Sequence, residues 1–451
     1  MKTLKTDNAF KKMLEEIFYS SLKAVAPYEA VRYHTDKIRS VYQKGNFKKL
    51  VVAGFGKAAC PMAKAVEDEL SDLLDDGAVI TKYGHCEGQG SRVRGQGVNN
   101  YPSLVTRHPS LKIFEAGHPL PDKNGIKGTE EIINLLENAD ENTLVVCLIS
   151  GGGSALLVSP YKGISLSEKQ EITDLLLKSG ADIYELNTIR KHISKVKGGR
   201  LAEIAWPAKI ISLVLSDVIG DKLDVIASGP TSPDTSTYHD ALKVMKKYGL
   251  MDKSPNSIIE ILQKGKSGLV PETPKGGDKL FEGVENIIIG SSRTALDAAK
   301  RKAEELGFHA EILSSGLAGE AREVGKWLAE KAKEAKGARC VLSGGETTVT
   351  VKGSGLGGRN MELALAFAME IEDIDGITLL SAGTDGTDGP TDAAGAIVNG
   401  DTVRKAKAAG LAPMEYLNNN DSYNFFKEID GLFITGPTGT NVMDLQIALI
   451  E

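Results

Sequence analysis

Short apolar, β-branched runs alternate with longer stretches of helical period through the first half of the chain. The runs lie at 50–53, 78–81, 113–116, 144–149 and 211–215, and nearly all pass straight into Gly, Ser or Asp. Between them, 57–75, 124–138, 167–180 and 183–205 carry apolar residues at helical spacing. Strands separated by helical crossovers make parallel sheets, so the pattern predicts a doubly wound, Rossmann-like α/β domain with ligands at the strands' carboxyl ends. A first amphipathic helix is predicted from Phe10, Met13, Ile17, Phe18 and Leu22, stopping near Pro27. Past Pro230 and Pro233 the texture changes: 265–277 is a Lys/Gly/Pro-rich loop without apolar period, a candidate for mobility. Strand-like runs resume at 287–290, 310–313, 340–342, 348–351, 377–380, 396–398 and 432–435. Several have no helix between them, notably across 340–351, which predicts hairpins and a mixed sheet. The expected organisation is two α/β domains, 1–235 and 236–451.

Composition narrows the function classes. The formal net charge is −6, with 54 Lys+Arg against 60 Asp+Glu, so there is no basic excess for nucleic-acid phosphates. No apolar run approaches the ~18 residues of a membrane helix. Asp7, Glu15 and Glu16 interrupt the stretch where a signal peptide needs an apolar region, and a cytoplasmic protein is expected. Cys60, Cys86, Cys147 and Cys340 include no C-x-x-C pair, so neither a zinc site nor a disulfide framework is expected. Glycine is the outlier, with 49 of 451 residues against the roughly 7% of average proteins. Its clusters fall mostly just beyond predicted strands.

Those clusters carry the candidate chemistry. Gly54-Phe55-Gly56-Lys57-Ala58-Ala59 follows the first strand and opens a helix, bringing backbone N–H groups and a cation to a helix N-terminus, a natural anion site. It is not a G-x-x-x-x-G-K-[ST] loop, and its likeness to G-x-G-x-x-G stops at Cys60 and Pro61; a tight turn with a surface lysine is the alternative. Ser150-Gly151-Gly152-Gly153-Ser154 ends the most apolar strand of this half. Three glycines exceed the need of one turn, which favours a cradle for phosphate or carboxylate; a serine nucleophile elbow would need Gly where Leu156 stands. Asn187, Arg190, Lys191, Ser194 and Lys197 form a cationic stripe, either solvated surface or contact for an anionic substrate. Asp217 and Asp221 end a strand, as ligands for Mg²⁺ and acceptors of a proton or as turn caps. His118 in the loop 117–122 is either a substrate contact or a loop hydrogen bond.

In the second half, Gly344, Gly345 and Glu346 end a strand, and four glycines within 353–358 precede Arg359 at a helix start, a strong anion-site signal. Asp385, Asp388 and Asp392 lack calcium-hand spacing, leaving Mg²⁺ or turn chemistry.

Together these segments resemble the class II glycerate kinase family, the glycerate 2-kinases with a C-terminal MOFRL domain. The resemblance rests on G-F-G-K-A-A at 54–59, G-H-P-L-P-D at 117–122, S-G-G-G-S-A-L-L at 150–157 and N-T-I-R-K-H-I-S-K-V-K-G-G-R-L-A at 187–202. It continues through L-S-D-V-I-G-D at 215–221, S-G-P-T at 228–231, S-G-G-E-T-T-V at 343–349, G-G-R-N at 357–360, and the segments 383–395 and 436–445. It implies ATP-dependent phosphorylation of the 2-hydroxyl of D-glycerate, with Mg²⁺, in the cleft between two α/β domains. By match to the family's positions it makes Lys57, Asp217 and Arg359 catalytic. Beside it, Gly151, Gly152, Gly153, Ser154, Gly344, Gly345, Gly357 and Gly358 are assigned to nucleotide or phosphate. His118, Asn187, Arg190 and Lys197 are assigned to substrate, and Glu346 and Asp385 to the metal. Lys57 and Arg359 are expected to meet across the cleft on the transferring phosphoryl group or the glycerate carboxylate. The rival readings are an NAD(P)H-dependent hydroxypyruvate reductase, opposed by the incomplete dinucleotide fingerprint, and a non-catalytic binder of small anions, with a serine hydrolase more distant. ATP and D-glycerate are the expected partners, without nucleic acid or membrane, and a homodimer stays open.

Overall fold

The computed structural model describes residues 2–86 and 108–451, with side chains from residue 9 onward. The first sheet contains β1 (Lys49–Phe55), β2 (Leu74–Lys82), β3 (Leu111–Ala116), β4 (Thr143–Ile149), β5 (Lys209–Leu215) and β6 (Val284–Gly290). All are parallel, in the order β3-β2-β1-β4-β5-β6, the doubly wound nucleotide-binding order. Every residue of β4 is buried, because helices cover both faces and leave no polar side to alternate. The order reverses between β1 and β4, and both strands leave the sheet there in glycine loops. That crevice is where an open α/β sheet binds its ligand.

The second sheet contains β7 (His309–Leu317), β8 (Arg339–Gly345), β9 (Ile377–Gly383), β10 (Gly395–Asn399), β11 (Leu432–Phe433) and β12 (Asp444–Ile450). Its order is β11-β10-β9-β12-β8-β7, with only β7 and β8 parallel. The mixed character is as expected, but its source is not a hairpin across 340–351. Thr348 makes only an isolated bridge to Glu320, and β8 takes its antiparallel partner from β12, a strand missing from the expected set.

The expected boundary at 235 is corrected as well. The run at 287–290 belongs to β6 and pairs with β5, so the first sheet closes at Gly290. The stretch after 235 contributes helices Tyr238–Lys247 and Asn256–Lys266 to a long crossover rather than opening a new domain. At the other end, α1 (Lys2–Ala24) crosses to the second sheet and packs on the helix Ser292–Glu305. Leu14, Ile17 and Phe18 of α1 share one buried cluster with Leu213 of the first sheet, Leu296, and Leu342 and Ile447 of the second. The two sheets therefore share a core.

Three further expectations change. The single helix over 183–205 is two, Ile183–His192 and Arg200–Ala205, because Gly198 and Gly199 between them take φ of 59° and 82°. The loop 265–277 is anchored: Glu272 lies 2.9 Å from His192 Nε2 and accepts the Tyr238 N–H, while Thr273 Oγ1 donates to Asp234. Cys60 and Cys86 are joined in a disulfide with Cα atoms 5.6 Å apart. Their spacing hid this, since only the fold sets the start of the helix Ala59–Leu70 beside the end of β2. No helix among the described residues is long and apolar enough to cross a membrane.

Candidate functional site

The loops after β1 and β4 are stitched together before any side chain is considered. Lys57 N–H donates to Gly151 O (2.9 Å), Ser150 N–H to Phe55 O (3.2 Å) and Ala58 N–H to Ser150 Oγ (3.0 Å). Gly152 takes φ of 80°, and a Cβ there would stand 3.0 Å from the His118 ring and 3.1 Å from Lys57 Cγ. A Cβ on Gly151 would collide with the Asp217 carboxylate. These two glycines are the floor on which Lys57, His118 and Asp217 converge from three separate loops. Among the described residues the Lys57 ammonium has no ion pair, and the N–H groups of Gly151, Gly152 and Ser154 have no protein acceptor, whereas Gly153 N–H donates to Ser150 O.

Burial raises the Asp217 carboxyl above its ordinary range, with Lys57 opposing and Glu346 adding to the rise. A carboxylate so tuned is suited to accepting a proton. Burial, helped by Lys57, Lys82 and His85, pulls the His118 imidazole down to about 4, so at neutral pH it is an uncharged hydrogen-bond partner.

The stripe over 187–197 is not solvated surface, since Asn187, Lys191, Ser194 and Lys197 are buried. Lys197 Nζ donates to Ser154 O (2.8 Å), Ser154 Oγ (3.3 Å) and Ala227 O (3.4 Å). Ser228 Oγ donates to Asn187 Oδ1 (2.9 Å) and lies 2.8 Å from Ser154 Oγ. Ala227 and Ser228 have φ of 51° and 63°, each costing an L-residue on the order of 1–2 kcal/mol. Strain of this kind gathers where a site needs a fixed geometry, and here it holds Ser154. Lys191 turns away, to Asp234 at 3.1 Å and Asp224 at 3.5 Å. The sequence reading missed Lys169 on the helix Leu166–Lys178, which burial and Arg190 pull down to about 7. It stands three and seven residues before the buried Ile172 and Leu176, so a lysine on an apolar stripe was the available signal.

On the second sheet, Arg359 opens the helix Arg359–Glu370 and grips Asp444 with two bonds, Nε to Oδ2 at 2.6 Å and Nη2 to Oδ1 at 2.9 Å. Its third bond, from Nη1, goes to Glu346 Oε1 at 2.6 Å. Burial alone would lower the guanidinium's pKa, but Asp444, Glu346 and Asp388 raise it and hold the charge. Asp444, at the start of the unforeseen β12, is a second omission. The loop after β5 sets Ile219 against Gly316 of β7, and Glu346 acts on Asp217, so the two faces meet here. The bonds of Arg359 among the described residues run to Asp444 and Glu346.

Several second-half glycines are corrected. Gly344 and Gly345 lie inside β8, opposite Leu445 and Asp444 of β12, where close strand packing excludes a side chain. The anion at the helix start after Gly357 and Gly358 is the protein's own, since Asp388 accepts the N–H groups of Asn360 (3.0 Å) and Met361 (2.8 Å). Burial still pushes the Asp388 carboxyl up to about 7. Asn419, Asn420 and Asp421 take the donors of 352–356, so no open cradle remains there. Asp385 accepts from the N–H (3.1 Å) and hydroxyl (3.2 Å) of Thr387, a local turn. No group of three or more His, Cys, Asp or Glu able to hold a metal occurs among the described residues.

Comparison with known proteins agrees with this architecture. A domain of unknown function, DUF4147, matches residues 13–263, and the MOFRL family matches residues 339–444. The D-glycerate 2-kinase of Thermotoga maritima is 47% identical over 449 residues, 98% of this chain and 99% of that protein. The glycerate 2-kinase of Pyrococcus horikoshii is 42% identical over 445 residues, 95% of each chain. The crystal structure of glycerate kinase from Thermotoga maritima matches with a TM-score of 0.86 at 46% identity, over 98% of this chain and 100% of that one.

Proposed function

The chain belongs to the glycerate kinase family with a C-terminal MOFRL domain, and from that premise we infer that it transfers the γ-phosphoryl group of ATP to the 2-hydroxyl of D-glycerate, giving 2-phosphoglycerate and ADP. The observation that carries the site assignment is the convergence of Lys57, His118 and Asp217 over Gly151 and Gly152 at the β1/β4 crevice. Phosphoryl transfer asks the protein mainly for alignment and for neutralisation of charge on the transferring group. Asp217 orients the acceptor hydroxyl and takes its proton as the new O–P bond forms. Lys57 neutralises phosphoryl oxygens, and the N–H groups of Gly151, Gly152 and Ser154 cradle them. Arg359 presents a second cation from the opposite face, aimed by Asp444 and Glu346. His118, Asn187, Arg190 and Lys197 form the acceptor side, with Asn187 and Lys197 acting through Ser154.

Mg²⁺ is usually held by one or two carboxylates with water and substrate phosphates completing the shell, so it needs no cluster of protein ligands. Glu346 and Asp385 would hold it, and when bound it neutralises phosphate charge. The reductase reading is opposed by the end of β2, where Thr81 and Lys82 stand instead of the carboxylate that NAD ribose recognition needs.

³¹P NMR after incubation with ATP, Mg²⁺ and D-glycerate is expected to show ADP and 2-phosphoglycerate. A 3-phosphoglycerate signal would overturn the regiochemistry, and hydroxypyruvate-dependent NAD(P)H oxidation without ADP release would overturn the reaction class. Lys57→Met is expected to lower kcat by about 10²–10³-fold with little change in Tm, since no ion pair is broken. A near-native kcat would remove Lys57 from the chemistry.

A further inference from the structure

The first half of the chain buries cations with no carboxylate to balance them. Lys169, Arg190 and Lys197 act electrostatically on one another, and burial and these like charges alone lower the three ammonium and guanidinium groups. Lys197 is committed to Ser154 and Ala227. The side chains of Lys169 and Arg190 make no hydrogen bond or ion pair with any described residue; Lys169 is only 4% exposed and Arg190 is half-buried. The buried Lys191 nearby is matched by Asp234. A buried cation without a counter-charge is unfavourable, so Lys169, with Arg190 acting on it electrostatically, marks a place where a ligand supplies the missing negative charge.

We propose that Lys169 and Arg190 clamp the carboxylate of the acceptor and thereby select a hydroxy acid over a neutral polyol, a reading that rests on the glycerate phosphorylation inferred above. Ser154 links the clamp to the chemistry. It lies one residue past the Gly151–Gly152 floor and carries the Lys197 bonds, so an acid held beside it presents its hydroxyls toward Asp217. Two cations without a protein counter-charge suit one carboxylate. A polyphosphate needs the more open crevice, where Lys57 is unpaired.

The test compares the full-length protein with Lys169→Met and Lys169→Arg, using kinetics with D-glycerate and ATP varied separately and thermal unfolding with and without D-glycerate. Lys169→Met is expected to raise KM for D-glycerate by about 30-fold or more while KM for ATP stays within about threefold, and to lose the glycerate-induced rise in Tm. Without ligand it is expected to melt about 2–4 °C above the parent, because an unmatched buried charge is gone; a merely structural lysine would lower Tm instead. Lys169→Arg is expected to keep the glycerate-induced rise. A raised KM for ATP with unchanged KM for glycerate overturns the proposal in favour of a phosphate subsite, and unchanged kinetics overturn it outright. Parent protein that is stabilised by glycerate yet releases no ADP would sink the reaction inferred above while leaving the clamp supported if Lys169→Met abolishes that stabilisation.

Discussion

Asp217→Asn is expected to lower kcat by about 10²–10⁴-fold and to erase the acidic limb of the kcat/KM profile. Burial against the Gly151 floor raises the Asp217 carboxyl, and the carboxylate must be ionised to accept the hydroxyl proton. Activity of the parent protein therefore falls as pH drops through that raised value, above the ordinary 3.8. Asn keeps the shape but takes no proton at any pH. The sign for stability is opposite. A carboxyl raised in the folded state stabilises only where it is protonated, and that contribution disappears as pH rises through its folded pKa. At neutral pH the substitution removes a disfavoured buried charge, so Tm should stay level or rise. Loss of rate with Tm retained separates chemistry from folding. An Asp217→Asn protein within tenfold of the parent, with the acidic limb intact, would exclude Asp217 as the base.

Arg359→Ala is expected to damage both stability and rate. Asp444 is 1% exposed, and its carboxylate is answered by two bonds from Arg359. Removing one partner of a buried pair leaves an uncompensated charge, at a cost of about 3–5 kcal/mol, readable as a lower midpoint in urea at unchanged slope. The two effects separate in the double variant Arg359→Ala/Asp444→Asn, where no buried charge is left unpaired and the Glu346 carboxylate that loses its partner is exposed to water. It should recover most of the stability while kcat stays about 10²–10³-fold down, the loss expected when a cation facing the transferring phosphoryl group is gone. A double variant that regains activity would reduce Arg359 to a structural pair with Asp444.

The catalytic face on the first sheet was legible because it is local. Gly56-Lys57 and Ser150–Ser154 each follow an apolar strand directly, and two such strands at the centre of a parallel sheet place their following loops side by side. The face on the second sheet was legible in part. Arg359 stands out at a helix start, but the glycines ahead of it read as an open anion cradle, and nothing in 353–358 announces that Asp388 and 419–421 occupy those donors.

The sequence by itself determined the alternation of strand and helix, the parallel character of the first sheet, and the family, because these depend on residues adjacent in the chain. Tertiary structure decided what each exposed-looking group faces. It placed β6 in the first sheet, β12 between β8 and β9, and Cys60 against Cys86. It turned Lys197 inward to Ser154 and left the buried Lys169 without a counter-charge. The physical reason is common to all of these. A backbone donor or a charged side chain is free or satisfied according to what packs opposite it, and that partner comes from a distant segment that local periodicity does not specify.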